Sequence, residues 1–286
     1  MKLKIFLISF LISLPFWWTM DILEDSLAKS PEFFTADLSQ KIKKQREQRQ
    51  RFNNLELEAE SAIAAEIDPK GNVKFLFEKN SEKPLPIASI SKLMTALVVF
   101  DLKETYNPSL AIKITKEAID QEGVSRFREL KPGELVPVKE LVYKMLIESS
   151  NDAAFALTKP MGEDSFVALM NIYAKKIGLS DTFFLDSTGL KRNTSTAREL
   201  VKLANYILEN YPQIFEITTY RADQNTNKLL KEIPEIVGGK TGWTQEAKGC
   251  LVLVLKNRRN GYFVNVVLGS EHRFNDMRKI IKALNI

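Results

Sequence analysis

Strand-like apolar runs stand at two ends of this chain with a long stretch between them that lacks them, and that arrangement restricts the fold more than any other feature. Ser61-Ala-Ile-Ala-Ala-Glu-Ile67 and Val73-Lys-Phe-Leu-Phe77 flank Asp68-Pro-Lys-Gly-Asn72, which reads as strand, turn, strand. Far downstream, Ile236-Val-Gly-Gly-Lys-Thr-Gly242, Cys250-Leu-Val-Leu-Val-Leu255 and Tyr262-Phe-Val-Asn-Val-Val-Leu268 are three further strands. Turn-like Glu246-Ala-Lys-Gly249 and Asn257-Arg-Arg-Asn-Gly261 separate them. Two early and three late strands can share one antiparallel sheet while residues 93–210 supply helices, an α+β arrangement. Asn275 to Leu284 reads as a closing helix.

The N-terminus has a different texture. Met1-Lys-Leu-Lys4 and the apolar run from Ile5 to Met20 form a basic region followed by a hydrophobic one, so residues 1–28 are expected to be a signal peptide or an N-terminal membrane anchor. Ser26-Leu-Ala28 has small residues at a cleavage-like spacing, whereas Trp17 and Trp18 suit a membrane interface. Residues 29–58 read as a polar, basic linker, because Ala36 to Asn54 holds many helix formers and almost no apolar face. Much of the net charge of +5 lies in this region rather than in a groove-like patch, which argues against nucleic acid. With 44% hydrophobic residues, 59–286 is long enough to bury one sizeable core.

Three short motifs follow one another in that domain: Ser89-Ile-Ser-Lys92, Ser149-Ser-Asn151 and Lys240-Thr-Gly242. Together they suit acyl transfer by a serine without histidine. A serine hydroxyl is a poor nucleophile until a base takes its proton, and residues three apart on a helix share a face, so Ser89 and Lys92 should meet. Lys83-Pro-Leu-Pro86 forbids helix before them, and the helix-period apolar residues of Ile87 to Phe100 place Ser89 in the first helical turn. There the free N–H groups and positive dipole end favour a developing oxyanion. Ser149 and Asn151 taken alone are ordinary capping residues. Lys240, in an apolar strand, needs a partner or a cleft to keep its charge. The single histidine, His272, lies between Glu271 and Arg273 and reads as a surface residue; the single cysteine, Cys250, reads as a buried thiol. A zinc site would have to lean on carboxylates, so no metal or other cofactor is expected.

With these motifs the chain resembles the penicillin-binding D-alanyl-D-alanine carboxypeptidases, low-molecular-mass serine peptidases that trim peptidoglycan stem peptides. The likeness spans most of residues 60–285 and includes Leu130-Lys-Pro-Gly-Glu134, Phe166-Val-Ala-Leu-Met-Asn171, Ser195-Thr-Ala-Arg-Glu199 and Asn225-Thr-Asn-Lys-Leu-Leu230. It implies a β-lactamase/D,D-peptidase-like fold, a five-stranded antiparallel sheet flanked by helices with an inserted helical subdomain, and makes 59–286 a serine D,D-peptidase catalytic domain. By the resemblance Ser89 attacks the carbonyl of the penultimate D-Ala and neutral Lys92 is the general base, its pKa lowered by desolvation and by repulsion from Lys240. Ser149 relays a proton to the departing amine, and Asn151 holds Lys92 and the substrate amide. The backbone N–H groups of Ser89 and Trp243 form the oxyanion hole, while Lys240, Thr241, Gly242 and, more weakly, Arg273 bind the substrate and its terminal carboxylate. The partners implied are peptidoglycan stem peptides and β-lactams as covalent inhibitors, with the N-terminal segment a membrane attachment. An extracytoplasmic location follows from export.

The same nucleophile serves a D,D-endopeptidase acting on cross-links, and sequence does not separate the two. A penicillin-binding wall-sensing module would be marked by a lost nucleophile or base, and neither is lost. A class A β-lactamase needs a glutamate-activated water, whereas Arg198-Glu-Leu-Val-Lys-Leu-Ala-Asn205 matches the carboxypeptidase phrase. Two departures from the family pattern stand out: Gly238-Gly239 reads as an unusually flexible strand entry, and the Leu190–Thr194 loop is short. With the sequence ending at Ile286, the β-rich domain and C-terminal anchor of many relatives are not expected.

Overall fold

A computed structural model describes residues 36–121 and 130–285; the expected leader or anchor at 1–28 lies outside them. The chain divides into two compact units, Met1–Asn53 and Asn54–Ile286. In the first, α1 (Ala36–Asn53) is an 18-residue helix rich in Lys, Arg and Gln. Among the described residues no helix is long and apolar enough to cross a membrane.

The second unit is built on the expected antiparallel sheet. Its strands are β1 (Ser61–Ile67), β2 (Val73–Lys79), β7 (Ile236–Thr244), β8 (Lys248–Lys256) and β9 (Tyr262–Ser270), in spatial order β2-β1-β9-β8-β7. The early hairpin therefore joins the late meander through β1 and β9, with Ile63 opposite Val266 and Ile67 opposite Tyr262. Two short pairs, β3 (Leu85–Pro86) with β6 (Thr194–Ser195) and β4 (Ala111–Lys113) with β5 (Leu135–Pro137), lie outside the main sheet. The central strands are buried along nearly their whole length, which explains their continuous apolar runs, since both faces are covered. Ile63, Val252, Val254, Val264 and Val266 belong to the main core. The alternate residues Leu251, Leu253, Phe263 and Val267 are equally buried on the opposite side, where α9 (Arg273–Leu284) packs on β8 and β9.

The remaining helices are α2 (Lys92–Asp101), α3 (Lys116–Ile119), α4 (Val138–Tyr143), α5 (Asn151–Ala156), α6 (Glu163–Ile177), α7 (Ala197–Asn210) and α8 (Gln213–Thr218). Helix α2 supplies the apolar centre, with Leu93, Met94, Leu97 and Val98 essentially inaccessible. Its C-terminal Asp101 accepts hydrogen bonds from Tyr173 of α6 and from Tyr211 just beyond α7. Those two hydroxyls offset the unfavourable meeting of a carboxylate with the negative end of a helix. Start of the unit is tied to its end by Asp276, which accepts from the N–H groups of Glu58 and Ala59 at 3.1 and 2.8 Å.

The Gly238-Gly239 pair corrects a sequence expectation. A Cβ on Gly238 would stand 2.5 Å from Phe215 of α8, and one on Gly239 would stand 2.7 Å from the Val252 carbonyl. The glycines are there because α8 and β8 approach β7 too closely for a side chain, and not to loosen the strand entry. Gly239 N–H also donates to Thr218 Oγ1 of α8 at 3.0 Å. Gly238→Ala should therefore lower the melting temperature by about 5 °C, the equivalent of about 2 kcal/mol of overpacking. Combined with Phe215→Ala, its further cost should largely vanish. Additive losses in the double-mutant melts would return Gly238 to the flexible reading.

Candidate active site

The prolines at 84 and 86 hold the approach extended, and the chain then tightens into a 3-10 turn, Ala88–Ser91, before α2 begins at Lys92. Ser89 is thus one step ahead of the α-helix rather than inside its first turn. The outcome for the pair is that expected: Lys92 Nζ lies 2.8 Å from Ser89 Oγ. It also donates to Asn151 Oδ1 at 2.7 Å and to the Thr188 carbonyl at 2.5 Å. Ala88, at φ 47°, occupies the left-handed region that a residue with a Cβ rarely adopts.

The second motif is delivered by a helix irregularity. Helix α4 widens into a π-type turn over Lys144–Glu148, and Ser149 follows at φ 63°. Ser150, not Ser149, then caps α5, its Oγ accepting from Ala153 N–H at 3.1 Å. That division of labour frees Ser149 Oγ to accept from Lys240 Nζ at 2.8 Å. Lys240, on β7, also donates to the Thr241 carbonyl at 3.0 Å. Strand β7 presses on the nucleophile turn, since a Cβ on Gly242 would sit 2.8 Å from the Ile87 carbonyl and 3.1 Å from Ser89 N. The three motifs, dispersed over some 150 residues of chain, meet in one cleft of about 600 Å³ lined also by Trp243, Thr226 and Arg273.

Both lysines are buried, Lys92 at 0% and Lys240 at 1% exposure. Burial lowers the Lys92 ammonium to a pKa of about 7, with Asp186 opposing the shift. Lys240 is likewise depressed, first by burial and then by the charges of Lys92 and Arg273. The repulsion expected to act on Lys92 is thus expressed chiefly at Lys240, and desolvation is what brings Lys92 down towards neutrality.

Arg273 reaches the cleft from the first turn of α9, its Nη1 donating to the Gly242 carbonyl at 3.1 Å. Thr241 Oγ1 pairs with Thr226 Oγ1 at 2.6 Å, and the Trp243 side chain, 64% exposed, stands beside the nucleophile in the cleft wall. His272 is exposed and bonded to Glu58 Oε2, away from this chemistry; Cys250 is buried in β8 with its thiol pushed up to about 11 by burial. Among the described residues no cluster of three or more His, Cys, Asp or Glu could hold a metal ion.

Residue patterns missed Thr188, because it acts through its carbonyl, which every residue type has. They also missed Thr226, whose phrase Asn225-Thr-Asn227 was visible without a role. Here Thr226 N–H donates to the Ile147 carbonyl at 3.1 Å, joining this loop to the π-type turn before Ser149.

Comparison with known proteins gives a consistent set of relatives. A profile of the family described as D-alanyl-D-alanine carboxypeptidase, peptidase S11, matches residues 44–272. The D-alanyl-D-alanine carboxypeptidase DacF of Bacillus subtilis is 34% identical over 77% of this chain and 59% of its own length. The D-alanyl-D-alanine endopeptidase of Escherichia coli is 32% identical over 78% of this chain and 76% of its own. The chain thus spans less than two thirds of the first relative and about three quarters of the second. Among solved structures, penicillin-binding protein D2 of Listeria monocytogenes in its cefotaxime-bound form superposes with a TM-score of 0.72 at 30% identity, covering 80% of this chain and 98% of that one.

Proposed function

The chain belongs to the D-alanyl-D-alanine carboxypeptidase family of serine peptidases, and from that membership we propose that it removes the terminal D-Ala from peptidoglycan stem peptides through an acyl-enzyme on Ser89. One observation carries the reading: the surroundings of Lys92 Nζ suit a neutral amine. Lys92 Nζ lies 2.8 Å from Ser89 Oγ with the Thr188 carbonyl and Asn151 Oδ1 as its other two partners, so once it is neutral those two can take its N–H bonds and its lone pair is available to the Ser89 hydroxyl.

In the forward step Ser89 Oγ bonds to the penultimate D-Ala carbonyl carbon while its proton passes to Lys92. The oxyanion rests on the backbone N–H groups of Ser89 and Trp243. Collapse breaks the amide bond, and the proton that Lys92 took from Ser89 passes to the departing D-Ala nitrogen by way of Ser149, which stands within hydrogen-bond distance of Lys240, so that Lys92 is neutral again before the second step. Water then attacks the ester, giving its proton to Lys92, and Ser89 Oγ leaves protonated. The terminal carboxylate binds in the positive field of Lys240 and Arg273, with Thr241 and Gly242 forming the strand edge beside it. β-Lactams acylate the same oxygen. Because the enzyme acts on wall polymer, its place is extracytoplasmic, with residues 1–28 the exporting or anchoring segment and 59–286 the catalytic domain.

Glu199 supports the choice against a β-lactamase. It is 3% exposed and engaged by Ser180 Oγ, the Asp181 N–H and Thr182 Oγ1 at 2.6 to 3.2 Å, so its carboxylate organises a turn rather than a water. The relatives named as endopeptidases favour cross-link cleavage as the second reading. Mass spectrometry of the purified protein incubated with pentapeptide muropeptides and with cross-linked dimers separates them. Release of one D-Ala from the pentapeptide is the expected result; cleavage of dimers alone would move the assignment to an endopeptidase.

A further inference from the structure

The turn that brings the Thr188 carbonyl to Lys92 is gathered on one buried carboxylate, with Thr95 and Asn193 bracing it from outside. Asp186 is 4% exposed. Its Oδ1 accepts from Gly189 N–H at 2.9 Å; its Oδ2 accepts from Thr188 Oγ1 at 2.5 Å, Leu190 N–H at 3.1 Å and Lys191 N–H at 3.2 Å. The turn is then strapped to the nucleophile. Asn193 donates to the Asp186 carbonyl and to Ser91 Oγ, at 3.0 and 2.9 Å, and its own carbonyl accepts from Ile87 N–H. At the apex, Gly189 has φ 85°, and a Cβ there would stand 2.0 Å from the Ala88 carbonyl oxygen and 2.9 Å from Ser89 N. No side chain fits between this turn and the backbone of the nucleophile.

We propose that Asp186 is a positioning residue for the general base: its buried carboxylate folds the turn that delivers the Thr188 carbonyl to Lys92, and its negative charge decides the pH at which Lys92 is free to take the Ser89 proton. Four hydrogen bonds from Thr188 to Lys191 converge on this one carboxylate, and its charge lies two hydrogen bonds from the Lys92 nitrogen. The charged groups around Lys92 otherwise act in the opposite sense or from the cleft mouth. Lys240 from β7 is itself lowered by burial and by the charges of Lys92 and Arg273, so it can only oppose a charge on Lys92; Glu148 and Asp152, from the π-type turn and α5, line the open cleft. Burial by itself carries Lys92 downward, and Asp186 opposes it. A base held too low would transfer its acquired proton readily but would accept one from serine poorly, so the counter-charge keeps Lys92 matched to neutral pH.

This inference rests on the acyl-transfer reading, and the test separates the two. The rate of β-lactam acylation of the full chain is followed by intact mass as a function of pH, for the wild type and for Asp186→Asn. The wild type should show an acid limb near pH 7. In Asp186→Asn the lost charge no longer favours the ammonium, so the limb should move down by about one pH unit, with a plateau about tenfold lower from the weakened turn. An unmoved limb with only a lower plateau would make Asp186 a structural residue and overturn the proposal. If Asp186→Asn does not fold, Asp186→Glu carries the test: its retained charge should keep the limb within about 0.3 units while the plateau falls, and a limb displaced by a full unit would overturn it. Absence of any adduct in the wild type would instead defeat the acyl-transfer reading itself.

Discussion

Ser89→Ala should abolish D-Ala release and covalent β-lactam labelling together, with the peptidase rate falling by about four to six orders of magnitude. Both reactions need the same oxygen in an ester. Among the described residues Ser149 Oγ, 2.8 Å from Lys240 Nζ, is the nearest rival, and an adduct retained there in Ser89→Ala would reveal it. Ser91 Oγ is committed to the Ala88 carbonyl at 2.7 Å. The fold should be untouched, because the Ser89 side chain bonds only to Lys92 among the hydrogen bonds described. Intact-mass measurement after penicillin treatment reads the result. A stoichiometric adduct in Ser89→Ala would place the nucleophile elsewhere, and peptide mapping would then say where.

Lys92→Met should separate activity from stability in opposite directions. Acylation should fall by about a thousandfold, since the proposed general base is gone and Lys92 is the only partner of Ser89 Oγ among the described hydrogen bonds. Stability at neutral pH should rise. A lysine lowered to about 7 in the folded protein and at about 10.4 in the unfolded chain costs the fold most at and below pH 7. Between pH 7 and 10.4 the unfolded chain binds the extra proton, so wild-type stability climbs with pH, and the cost is gone above 10.4. The full penalty is about 5 kcal/mol. The Thr188 carbonyl and Asn151 amide left without a donor take back slightly over half of it, leaving a gain of about 2 kcal/mol, or about 5 °C in melting temperature. That advantage should shrink as the pH of the melt is raised from 7 to 10. A methionine variant less stable than the wild type at pH 7 would mean that the three hydrogen bonds of Lys92 outweigh its desolvation.

Much of the fold could be read from the chain because its signals are local. The near-continuous apolar runs of β1, β8 and β9 follow from a sheet covered on both faces. The helix-period run after Pro86 marks α2. That the five main motif residues would meet could be read for a related reason: a serine three residues before a lysine and a lysine in an apolar strand are uncommon in their settings, so their types and order carry information.

What the sequence determined by itself, then, was which elements form and which residue types are available for chemistry, since both depend on neighbours within a few positions. Tertiary structure alone decided how those residues act. It assigned the helix cap to Ser150 and so released Ser149 at a positive φ. It made Gly238 and Gly239 a packing requirement of α8 and β8, and it chose a backbone carbonyl, that of Thr188, to hold the base. It also set the basicity of Lys92, because a pKa reports the water and charge removed around a group, and those come from segments as distant in the chain as residues 151 and 188. No pattern within one segment can encode an environment that exists only after the segments have met.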